Sequence, residues 1–292
     1  MNGGMTHGMG WLRDYPDFRD YTEATLAVKP LFASAGVLKV VTRLPKKMDL
    51  RRWCSPIEDQ GKIGSCTAHA GVALVEYFER KAFGKHLDAS RLFLYKTTRN
   101  LLRWTGDTGA FLRSTMAALV LFGVPPEEYW PYNEDAYDQE PFAFCYAFAQ
   151  QYQAIRYLRL DPPEIYGAEL LKKIKTHLAA QLPLMFGFTV YSSIESSGDG
   201  RIPIPFEQEK ILGGHAVAAV GYDDNLEIEN KFYTGEHPPI TQGALLIRNS
   251  WGTGWGEQGY GWLPYEYVLR GLATDWWTLV KNEWIDTGQF GL

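Results

Sequence analysis

The chain has 292 residues, is 46% hydrophobic and carries a net charge of −5, enough length and apolar content for a large core in one or two structural lobes. An acidic balance without any lysine or arginine run argues against nucleic acid or an anionic membrane as a main partner. No stretch approaches a membrane span, and the apolar runs at 24–28 and 31–41 are broken by Lys29-Pro30 and Lys39, so they do not read as a signal peptide. Internal repeats, low-complexity tracts, phosphate-binding loops and paired-cysteine metal spacings are not found, and no metal or cofactor is expected.

Residues 1–40 form an N-terminal extension whose stretch 9–21 is rich in aromatic residues and proline and is expected to be extended. Next comes Asp59-Gln60-Gly61-Lys62-Ile63-Gly64-Ser65-Cys66, a small-residue turn that delivers a cysteine to the start of an apolar-striped segment. Ala70, Ala73, Leu74, Tyr77 and Phe78 recur at the spacing of one buried helix face, with Glu76, Glu79, Arg80 and Lys81 opposite. Helix is predicted again over 77–95 and 112–121, with a stop at Gly123-Val124-Pro125-Pro126. A helix-rich first lobe, about 48–149, should give way to a β-rich second lobe, about 150–281, carrying strand-like runs at 182–190, 216–220, 244–247 and 276–280.

The unpaired N–H groups of a first helical turn favour a thiolate over a thiol, so Cys66 is predicted to be a nucleophile of lowered pKa. Gly61 and Gly64 keep the preceding turn bare for a substrate backbone. A thiolate at neutral pH needs a partner that stabilises it and then protonates a leaving amine, and imidazole suits both tasks. His215 enters the apolar run 216–220 from the turn Gly213-Gly214; the other five histidines are assigned no role. An amide accepting from the second imidazole nitrogen would fix its tautomer, which Asn249, at the end of the run 244–247, is placed to do. Trp251 is positioned to roof this pair, and the Gln60 side-chain amide to stabilise an oxyanion beside the Cys66 N–H.

These blocks, together with Gly-His-Ala-Val-Ala-Ala-Val-Gly-Tyr from Gly214 and Asn-Ser-Trp-Gly-Thr-Gly-Trp-Gly from Asn249, resemble the papain-like cysteine peptidases, and most the compact bacterial members of the xylellain type. The resemblance covers about residues 48–281. His215 fits that family's distance from the cysteine, whereas Asn249 overshoots it, an excess attributable to an insertion at 223–242. The resemblance implies an α+β fold of two lobes, helix-rich on the left and antiparallel and β-rich on the right, with the active-site cleft between them. It also implies Cys66 as nucleophile, His215 as general acid and base, Asn249 as orienter, Gln60 as oxyanion donor and Trp251 as shield. Substrate contacts are expected at Gly109, on an edge that pairs with an extended peptide, at Gly187 and Ala216 beside a side-chain pocket, and at Gly214. Ile63, Thr67, His69 and Gly214 depart from the family pattern, and His69 is expected near the nucleophile.

Three cysteines leave only Cys54 and Cys145 besides Cys66; free buried thiols are expected rather than a bridge, in keeping with a reducing, cytoplasmic compartment. The predicted function is peptide-bond hydrolysis through an acyl-enzyme, as an endopeptidase made as a zymogen, with the N-terminal segment as its own inhibitor. The alternatives are an amidase or transglutaminase-type acyl transferase, and a non-catalytic binding protein on a peptidase scaffold.

Overall fold

The computed structural model describes residues 7–23, 25–26, 43–150 and 157–279. Most of the apolar runs between 24 and 41, and the chain beyond 279, lie outside the described residues.

The apolar stripe after Cys66 becomes helix α1, Cys66–Phe83, which ends where Gly84 takes a left-handed φ of +67°. The predicted helix over 77–95 is therefore two helices. Its second part belongs to α2, Arg91–Leu102, which starts afresh at Ser90, whose side chain accepts from the Phe93 N–H. Helix α3, Leu112–Leu121, matches its predicted bounds. Between α2 and α3 a short strand lies against one from the N-terminal arm: residues Trp11–Leu12 pair in parallel with Ala110–Phe111. These are β1 and β3. Helix α4, Ala143–Ala149, completes the helical half.

A seven-stranded sheet makes the other half. Its strands are β2 (Lys47–Asp49), β4 (Tyr157–Arg159), β5 (Leu184–Tyr191), β6 (Ile211–Glu229), β7 (Ile240–Arg248), β8 (Tyr260–Pro264) and β9 (Ala273–Leu279), with helices Gly167–Ala179 (α5) and Tyr265–Leu269 (α6) between them. The spatial order is β4-β9-β5-β6-β7-β8, β2 also pairs with β6, and all these pairings are antiparallel. Strand β6 spans 19 residues, far beyond the apolar run predicted for it. The segment read as an insertion is mostly the continuation of β6 and β7 into a longer hairpin, in which Glu227, Ile228 and Glu229 pair with Gln242, Thr241 and Ile240.

One aromatic stack stiffens the sheet, and one polar cluster ties it to the helical half. In the sheet, Phe186 and Trp276 stack at 3.9 Å between ring centroids, both fully buried. On α1, the buried Glu76 carboxylate accepts from the Ala89 N–H at 2.9 Å and from the Ser55 hydroxyl, and burial pushes its pKa up to about 7. Ser55 also accepts from Arg248 of β7 at 3.0 Å, so one hydroxyl ties the helix to the sheet. The three cysteines are all free and buried.

Replacing Trp276 by alanine should remove one member of that stack and leave a cavity. A loss of about 3–5 kcal/mol is expected, read as a lower urea midpoint at unchanged m-value.

Candidate active site

Cys66 is fully buried at the first position of α1, where nearby backbone N–H groups of Ala216, Gly10 and Thr67 favour its charged form. Ser65 sits at the N-cap but does not cap. Its hydroxyl instead meets Tyr132 Oη at 2.7 Å, and that phenol donates to the Gln60 carbonyl at 2.8 Å, bracing the turn that carries the cysteine.

His215 lies on β6 next to Ala216, so the residue that touches the sulfur and the imidazole are neighbours in one strand. Its Nε2 is 2.7 Å from Asn249 Oδ1, which also accepts from the Ser250 N–H at 2.8 Å. Two donors converging on one atom identify it as the amide oxygen, so Nε2 carries the proton and Nδ1 holds the lone pair. That Nδ1 is buried without a hydrogen-bond partner among the described residues. Trp251 stacks on the imidazole at 4.6 Å, and Phe188 meets it edge-on.

Gln60 is held from the same strand end. Its Oε1 accepts from Ser250 Oγ at 2.6 Å and its backbone N–H donates to the Ser250 carbonyl at 2.9 Å. The side-chain amide then points its N–H groups at the carbonyls of Ile63 and Gly8, both at 2.9 Å. The structure thus brings Gln60, Cys66, His215, Asn249 and Trp251 into one place. His69, one turn along α1, is buried with Nδ1 3.1 Å from the Ser65 carbonyl, and burial pushes its pKa down to about 3. It is neutral.

The cleft is occupied by the protein's own N-terminal arm. Gly8 presents its carbonyl to Gln60, Gly10 its N–H to Cys66, and Ala110 donates to the Gly10 carbonyl at 2.8 Å. The hydrogen bond to the arm's edge therefore falls on Ala110. Gly109 contributes closeness, since a side chain there would collide with Gly10. Gly187 and Gly214 both face the Trp11 ring, and Ala216 faces Cys66. His7 also stacks on Trp251, 5.6 Å between ring centroids, with Nε2 3.2 Å from Asp59.

Burial dominates the ionisation of both groups. Desolvation pushes the Cys66 thiol up to about 11 and the His215 imidazole down to about 4, although Asn249 favours the imidazolium. The expected thiolate is thus replaced by a neutral thiol and imidazole, because removal from water outweighs the N–H groups around the sulfur. Sequence reasoning also passed over His7, Gly10, Ala110, Tyr132 and Ser250, of which only Ser250 had a readable signal, its place between Asn249 and Trp251.

Comparison with known proteins agrees with this geometry. Residues 44–275 match the papain family cysteine protease. The crystal structure of xylellain, a cysteine protease from Xylella fastidiosa, superposes with a TM-score of 0.73 at 32% identity, covering 95% of this chain and 97% of that one. The uncharacterized peptidase C1-like protein L477 of Acanthamoeba polyphaga mimivirus is 29% identical over 94% of this chain and 87% of its own length. Peptidase 1 of Euroglyphus maynei is 28% identical over 75% of this chain, which spans 60% of that relative's length.

If the arm is what holds Cys66 protonated, its removal should lower the thiol pKa. In the full-length protein, alkylation of Cys66 should accelerate only as pH rises towards about 11. In a folded protein lacking residues 1–40 the inflection should move to roughly 8 or below. Superimposable rate profiles for the two proteins would show that the arm does not control this ionisation.

Proposed function

Since the chain belongs to the papain family of cysteine proteases, we propose that it hydrolyses peptide bonds with Cys66 as nucleophile, and that residues 1–40 are a short prosegment that keeps it inactive. The observation that carries the first part is the convergence of a helix-start cysteine, the His215–Asn249 pair at 2.7 Å and the Gln60 amide on one cleft. His215 takes the thiol proton at Nδ1 as sulfur attacks the substrate carbonyl carbon. Gln60 and the Cys66 N–H receive the developing oxyanion, and His215 then delivers the proton to the leaving amine. Water enters by the same base and releases the acid, restoring the thiol. Asn249 keeps Nε2–H engaged throughout, and Trp251 shields that bond from water. Extended peptide is the substrate class, and internal cleavage is favoured because both ends of the cleft admit chain, the arm running through it from His7 to Leu12.

The arm supports the zymogen reading by the way it engages the reactive groups. Cys66 meets an N–H of Gly10, while the Gln60 amide meets the carbonyl of Gly8, two residues away. The arm thus fills the place of the oxyanion at the Gln60 amide while its backbone covers the sulfur. Anchors beyond the cleft add to the hold: Arg113 Nε donates to Asp20 at 2.7 Å, its Nη2 donates to the Tyr15 carbonyl at 2.7 Å, and a third nitrogen pairs with Asp14.

Deleting residues 1–40 should raise kcat/KM on an extended peptide by at least about tenfold, judged against the high local concentration of a tethered segment. Equal activity and equal probe labelling of Cys66 in a folded deletion protein would make the arm purely structural. In that active form, Cys66→Ala should abolish turnover. Gln60→Ala should lower kcat by on the order of 100- to 1,000-fold with KM nearly unchanged; a raised KM at constant kcat would remove Gln60 from the oxyanion role.

A further inference from the structure

Ser65 precedes Cys66, is fully buried, and sits among contacts whose protons have only one arrangement. Tyr132 Oη lies 2.8 Å from the Gln60 carbonyl oxygen, which can only accept, so the phenol proton points there. Ser65 Oγ lies 2.7 Å from the same phenol oxygen, and the proton in that contact must then come from the serine. None is left for His69. Its Nδ1, 3.3 Å from Ser65 Oγ and 3.1 Å from the Ser65 carbonyl, faces two acceptors and therefore carries the ring proton itself. His69 is thus the Nδ1–H tautomer, the opposite of His215, and its Nε2 is an acceptor.

That Nε2 is buried without a hydrogen-bond partner among the described residues, and so is the Nε–H donor of Arg91. The two terminal nitrogens of Arg91 are taken up by Glu58 at 2.8 Å and Glu127 at 3.0 Å, which leaves Nε as its spare donor. Both side chains line one cavity of about 10 Å³ between α1, α2, β6 and β7. Such a space has room for a single water molecule. An acceptor and a donor that are each costly to bury unpaired are what a bridging water satisfies. Glu58 and Glu76 also line the cavity and offer acceptors for the water's second proton.

We propose that a buried water joins Arg91 to His69, and that it heads a one-directional chain of hydrogen bonds, Arg91 to water to His69 to Ser65 to Tyr132 to Gln60, which holds both oxyanion donors in place. The Ser65 carbonyl belongs to the same planar peptide unit as the Cys66 N–H, so His69 steadies one donor. Tyr132 steadies the other through the Gln60 backbone. His69 and Tyr132 are therefore positioning residues. Their effect on turnover rests on the peptidase reading, whereas the proton arrangement does not.

The full-length chain tests both parts. With ring-15N-labelled histidine, His69 should appear as a neutral ring protonated at Nδ1, and a crystal structure should show one ordered water within hydrogen-bond distance of His69 Nε2 and Arg91 Nε. A ring protonated at Nε2, or no water at that place, overturns the assignment. Turnover is measured in the full-length chain with the arm loosened by Trp11→Ala. Arm and peptide compete for the cleft, so a change in the arm's hold moves the apparent KM, whereas lost alignment moves kcat. Adding Tyr132→Phe should lower kcat about tenfold at nearly unchanged KM, the size of one lost hydrogen bond. His69→Phe should do the same, and His69→Asn, whose amide nitrogen takes the place of Nδ1, should recover most of the loss. An unchanged kcat in the Tyr132 variant defeats the positioning role, whether or not the His69 variants fold. If the tautomer and the water are as assigned while no peptide is cut, the hydrogen-bond chain stands and it is the peptidase reading that fails.

Discussion

Gln60 and Ser250 hold each other twice, through the backbone and through their side chains, and the rest of the site depends on that double contact. It belongs to a short run of pairing between the loop before Cys66 and the loop after β7. The Asp59–Trp251 bridge and the Gly252 N–H to Glu58 carbonyl bond continue it. One end of this run fixes the turn that delivers Cys66, and the other fixes Asn249 and hence the His215 ring. Nucleophile and base come from different halves of the molecule. Their alignment is therefore a property of this seam more than of either half.

Polar groups buried on each side stiffen the walls that meet at the seam. Arg99 of α2 is fully buried, lies 4.1 Å from the Tyr95 ring centre and binds Asp138 at 2.9 Å and the Gly106 carbonyl. Asp107 then accepts from the Gly64 N–H at 2.9 Å and from Tyr95 Oη at 2.5 Å. The glycine turn before Cys66 is thereby pinned to the loop that carries Gly109 and Ala110. A buried arginine without such partners would be strongly destabilising, so the network maintains the loop geometry as well as satisfying the charge.

Residues whose placement follows from local chemistry were legible in the sequence. Cys66 at a helix start, Asn249 at a strand end and Gln60 in a bare turn each carry a spacing or neighbour signal, and the bounds of α3 follow from its apolar period and the prolines after it. What escaped depended on contacts far apart in the chain. Gly84 ends α1 by adopting a positive φ, which composition alone did not distinguish from a glycine tolerated inside a helix. Asp275 reads as one acid in an apolar run until β9 turns it, left-handed, toward a tryptophan 264 residues earlier. The protonation of Cys66 was misjudged for the same reason. The helix start and a covering N-terminal segment were both expected, but how completely Cys66 would be removed from water was not.

The arm is covalently part of what it covers, and this changes how its occupancy responds to conditions. A separate peptide held by Trp11, Gly8 and Gly10 would dissociate on dilution, whereas a tethered one meets the cleft at an effective concentration of order millimolar however few molecules are present. Scarcity leaves the closed form closed. Were the covalent connection lost, the same contacts would act only at the free concentration of the segment, and in dilute solution they would no longer suffice to keep the cleft covered.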